Sequence, residues 1–81
     1  MVAQVVRDEI AARFDTVETA IIVRAFDSTA LPLLDSPRMA GDLIRVHRAI
    51  LKLGDGDVGR VLAALRQAAV DWRDVLVAAG M

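Results

Sequence analysis

What this chain lacks narrows its chemistry before any pattern is read. It has no cysteine, so disulfides and thiolate metal clusters, the usual staples of a small scaffold, are excluded. Nowhere do about 18 apolar residues run consecutively, which rules out an ordinary membrane span. The opening MVAQVVRDEI meets Asp8 and Glu9 before any long apolar run, so no secretory signal is expected and a cytoplasmic address follows. Charge of one sign is also missing. Ten basic and eleven acidic side chains leave a net −1, which supplies no global attraction to phosphate or to anionic lipid. Asparagine is absent and nine arginines stand against one lysine, a bias that reflects GC-rich coding rather than mechanism. Low-complexity tracts and repeats of solenoid length do not occur.

What is present is apolar surface. Hydrophobic residues make up 56% of the 81, well above an average globular domain. A chain of this length forms one domain, residues 1–81, and buries roughly 60% of the surface it exposes when unfolded. Stability must come from packing or from a partner, and so large an apolar surplus points to a self-associating surface.

Periodicity predicts an all-α domain of four to five helices, at about 2–13, 16–26, 37–53, 57–70 and 71–79. Val2, Val6, Ile10 and Phe14 step by four, with Val5 beside them, and form one face of a first helix. In DTVE, Asp15 can accept from the free N–H groups of a second helix while Glu18 reaches back, a capping box. That helix is apolar on two sides: Val17, Ala20, Ile21 and Ala25 on one, Ile22 and Phe26 on another. Such a helix is central or part of an interface. The run IIV could also be a strand, an alternative ranked second because no partner strand is visible.

Residues 27–36, DSTALPLLDS, read as the one long connection, with Leu31, Leu33 and Leu34 folding back onto the core. Ser36 and Pro37 then offer an N-cap and a first-turn proline. The third helix is strongly amphipathic. Met39, Leu43, Ile44, Val46, His47, Ile50, Leu51 and Leu53 share one side, and Arg38, Arg45, Arg48 and Lys52 the other. Gly41 falls on the outer face at a cost of about 1 kcal/mol relative to alanine. Gly54 suits a left-handed helix end, and Asp57 is placed to cap a fourth helix whose apolar stripe is Val58, Val61, Leu62, Leu65 and Ala69. These two helices make a central antiparallel hairpin. The apolar phase continues through Trp72, Val75, Leu76 and Ala79, and one continuous helix would reach about 34 Å. Asp71 with Asp74 three residues on instead reads as a capping pair, placing a break near Val70, and Gly80 ends the last helix.

The stretch LKLGDGDVGR crowds Asp55 and Asp57 among three glycines, and poses the question of an ion- or phosphate-holding loop. A calcium loop counted from Asp55 fails at its fifth, sixth and twelfth places, occupied by Gly59, Arg60 and Arg66. The Walker spacing and its preceding strand are missing as well. A glycine stop followed by an aspartate cap accounts for the residues.

His47, the only histidine, lies on the apolar side of its helix. It is expected as a buried imidazole with one hydrogen-bond partner, neutral unless an acid stands near. A triad finds no convincing nucleophile, since Ser28 and Ser36 are the only serines. No catalytic, cofactor or metal residues are therefore assigned, and no small-molecule substrate is evident. Ile22, Phe26 and Trp72 are the candidate interface anchors. Arg38, Arg45, Arg48 and Lys52 form a candidate anion-contact stripe, partly answered by Asp42.

The segment RVHRAILKLGDGDVGRVLAALRQAAVDWRDVLVAAG resembles small uncharacterised helical proteins of high-GC actinobacteria. The likeness is carried by Leu51 to Leu53, by Gly56 with Asp57, and by Asp71 to Leu76, and it covers about the second half of the chain. It implies a helical domain and brings no activity or cofactor. The functional expectation is a non-catalytic protein–protein interaction module that self-associates. The alternative is a small nucleic-acid-binding or regulatory accessory protein that uses the basic stripe.

Overall fold

The computed structural model describes residues 2–31 and 39–80. Five helices follow in order: α1 (Gln4–Arg13), α2 (Thr16–Ser28), α3 (Met39–Gly54), α4 (Val58–Val70) and α5 (Trp72–Ala78). Among the described residues there is no strand, so the β-branched run Ile21 to Val23 is helical. α3 and α4 share the centre, α3 packing on α1, α4 and α5 and α4 on α2, α3 and α5, while α1 and α2 also pack on each other. The radius of gyration is 11.5 Å, against about 11.7 Å for a compact chain of this length.

The four-residue stripe of α1 works as its spacing requires. Val2, Val6, Ile10 and Phe14 are all buried, but Val5 lies at the edge of the face and is 46% exposed. α1 starts at Gln4, later than the periodicity implied: Ala3 is extended (φ −64°, ψ 148°) and caps the helix without a side-chain bond. The backbone N–H of Val2 instead donates to Asp27 Oδ1 at 2.8 Å, tying the chain start to the end of α2.

α2 opens on the capping box. Glu18 N–H donates to Asp15 Oδ1 at 2.7 Å and Asp15 N–H to Glu18 Oε1 at 3.4 Å. The helix runs on to Ser28, whose hydroxyl donates back to the carbonyls of Arg24 and Ala25. Its single proton is shared between the two, the Arg24 carbonyl being the nearer at 2.8 Å. Leu31 packs partly buried against the core, as its place after α2 led one to expect. Leu33, Leu34, the Ser36–Pro37 start and Arg38 fall outside the described residues.

In α3 the buried side is Val46, His47, Ala49, Ile50 and Leu51, with Leu43, Ile44 and Leu53 partly covered. The turn to α4 differs from expectation. Gly54 is the last helical residue, and the left-handed positions are Asp55 (φ 49°) and Gly56 (φ 78°). Gly54 is needed for closeness instead: a Cβ there would overlap Cγ2 of Val61 and reach its Cα at 3.3 Å. Asp57 then caps α4, accepting from Arg60 N–H at 2.9 Å.

α4 turns a slightly different face inward from the one its pattern suggested. Val61, Leu65 and Ala68 are buried and Ala69 is exposed, because positions 61, 65 and 68 share one side of a 3.6-residue helix. The break falls at Asp71, extended at φ −150° and ψ 97°. Asp71 N–H donates to the Gln67 carbonyl, and its carboxylate accepts from Arg73 N–H at 3.1 Å. The interruption turns α5 so that Trp72, Val75 and Leu76 close the core. Gly80 adopts the left-handed conformation beyond the end of α5 (φ 72°).

Candidate functional site

The apolar candidates separate into two groups. Ile22, Phe26 and Trp72, expected at an interface, are 0%, 3% and 7% exposed and belong to the monomer's own core. Helix periodicity places Ile22 and Phe26 four apart on the side of α2 that meets its neighbours. The other side carries Val17 and Ile21, also four apart, at 69% and 45% exposure. Trp72 has the Arg73 guanidinium over its ring at 4.6 Å, which shields the face of the indole left toward the surface. Val70 and Val77 are each 78% exposed, at the end of α4 and on α5.

His47 is the one buried polar side chain among the described residues. Its ring stacks on Phe26, with centroids 4.5 Å apart and planes 25° from parallel. The expected hydrogen bond is not made at Nε2, which is buried without a partner among the described residues. Burial above all, and then the positive charge of the amino terminus, lower the pKa of His47 from 6.5 to about 4, with Asp27 pulling the other way. The imidazole is therefore neutral at pH 7.

The basic stripe is largely answered by carboxylates. Arg45 Nη1 lies 3.4 Å from Asp42 Oδ1, and Arg48 Nε lies 3.0 Å from Glu9 Oε1 on α1. Arg38 lies outside the described residues. Lys52 joins a different group from the one its helix wheel indicated. α1 and α3 lie side by side, with Glu9 beside Arg48, and Arg13 and Lys52 each follow one turn on along their own helix. Arg13, Arg48, Lys52 and Glu9 line a hollow of about 330 Å³. A larger hollow, of about 490 Å³, is bounded by Arg13, Leu51, Lys52, Asp55 and Gly56. Arg13 was not legible as a partner of Lys52, because the only signal is that Glu9 and Arg13 repeat the four-residue spacing of Arg48 and Lys52.

The Gly54 to Gly59 stretch is a joint. Asp57 is committed to the α4 cap, and among the described residues no group of three or more His, Cys, Asp or Glu side chains could hold a metal ion. No helix among the described residues is long and apolar enough to cross a membrane. Compared with known proteins, the chain matches no family model, no curated protein and no solved structure.

Proposed function

We propose that this protein is a non-catalytic interaction module that self-associates through the outward face of α2. The observation that carries the reading is the placement of Val17 and Ile21, two large aliphatic side chains one turn apart and both open to solvent. Leaving them in water forgoes about 25 cal/mol for every Å² that a partner could cover. Ala20, also exposed, flanks Val17 on the same side of the helix, where its small side chain leaves room for a second helix to approach.

The non-catalytic part rests on how the reactive residues are employed. The single imidazole is stacked in the core, and the Ser28 hydroxyl is bound to carbonyls of its own helix. Neither is poised as a nucleophile or a base. The nucleic-acid reading draws less support, because Arg45 and Arg48 each face a carboxylate, and a polyanion would have to displace it. Light scattering coupled to size-exclusion chromatography tests the proposal. The measured mass is expected to rise with loading concentration, and a monomer mass at every loading would refute self-association.

A further inference from the structure

We propose that the seam between α1 and α3 binds a small oxyanion of the phosphate-monoester class, held between Arg13 and Lys52 with Arg48 as a third cation. The smaller hollow gathers three cations and one carboxylate, and the larger adds Asp55 beside Arg13 and Lys52, in a chain whose net charge is −1. The carboxylate of the smaller hollow, Glu9, is already engaged by Arg48 Nε at 3.0 Å. Arg13 and Lys52 have no ion-pair partner among the described residues. Two unanswered cations facing one concavity repel each other, and an entering dianion relieves that repulsion while taking charge-assisted hydrogen bonds from both. The planar guanidinium of Arg13 suits two oxygens of a phosphate, and Lys52 supplies a point charge.

The volumes, about 330 and 490 Å³, lie at the small end of the range for ligand sites. A single anion fits better than a polymer. Further along α3, Arg45 is drawn to Asp42, so no run of open cations among the described residues leads away from the hollow to follow successive phosphates. Both cations also stand in the last turn of their helices, where they oppose the partial negative charge of the terminal carbonyls. That structural duty and anion binding predict different results.

The test is a titration of isotope-labelled protein with inorganic phosphate at constant ionic strength, followed by backbone amide shifts. Saturating shifts are expected at Arg13, Lys52 and Gly56. The double variant Arg13→Gln/Lys52→Gln should weaken binding by at least about tenfold. Arg60→Gln/Arg66→Gln, which removes two positive charges from residues lining neither hollow, should change it by less than about twofold. Shifts that fail to saturate would overturn the proposal, as would equal weakening by Arg60→Gln/Arg66→Gln. So would an Arg13→Gln/Lys52→Gln variant that melts earlier yet keeps the phosphate shifts, since the cations would then serve only the helix ends. Binding of a short DNA duplex that phosphate cannot compete away would also overturn it, in favour of a polyanion surface.

Discussion

At the scale of single residues, His47 is the clearest liability in the core. A base whose folded pKa lies below its unfolded value loses stability as pH falls, because the unfolded chain takes up a proton that the folded one refuses. With the folded value at about 4 against 6.5, the loss begins as pH drops below 6.5 and is complete near 4. It amounts to roughly 3 kcal/mol at most. Replacing His47 with leucine removes this dependence. The difference in melting temperature between His47→Leu and the parent is expected to widen in the variant's favour from pH 7 to pH 4, and a constant difference would contradict the assignment. Two glycines of the same helix give a second contrast. Gly41 is exposed, with nothing within 4 Å of the place an alanine methyl would take, so Gly41→Ala should stabilise by up to about 1 kcal/mol. Gly54→Ala should do the opposite, since Val61 is fully buried and its β-branched side chain has no room to turn away. Chemical denaturation of the two variants reads both signs.

At the scale of the helices, local chemistry sets the boundaries. The Asp15–Glu18 box is exposed, so Asp15→Ala should cost about 1 kcal/mol through the cap alone, or roughly 4–8 °C in thermal midpoint. The starts of α2, α4 and α5 could be read from the sequence because an aspartate side chain performs each one within three residues. The start of α1 could not, since Ala3 offers no such group. Ala49 and Ala68, both fully buried, escape a pattern reading for a related reason: alanine carries little weight in an apolar stripe, yet its smallness is what lets two helix axes approach. The role of Gly54 belongs to the same category, because its close neighbour Val61 is across the turn and no periodicity reports that distance. The same distinction governs the candidate sites. The two-sided apolar character of α2 was visible in its residues, but which side the core would claim depends on where α1 and α4 pack. They claim Ile22 and Phe26 and leave Val17 and Ile21 outside. The Arg13–Lys52 pair likewise arises only when α1 lies alongside α3.

At the scale of the whole molecule, the monomer is already closed. Its accessible surface of 4907 Å² is close to the roughly 4,700 Å² expected of a folded monomer of this mass. Association therefore does not complete the core, and is expected to be concentration-dependent and reversible. A stable dimer covers about 800 Å² on each copy, more than Val17 and Ile21 offer alone, so the proposed contact would need residues around them on α2 as well. Sedimentation equilibrium across the micromolar range, on the parent and on Val17→Lys/Ile21→Lys with helicity checked by circular dichroism, tests this most directly. The parent's average mass should climb above 8.7 kDa while the folded variant stays at the monomer value. A parent that stays monomeric, or a variant that associates as strongly as the parent, would contradict the account.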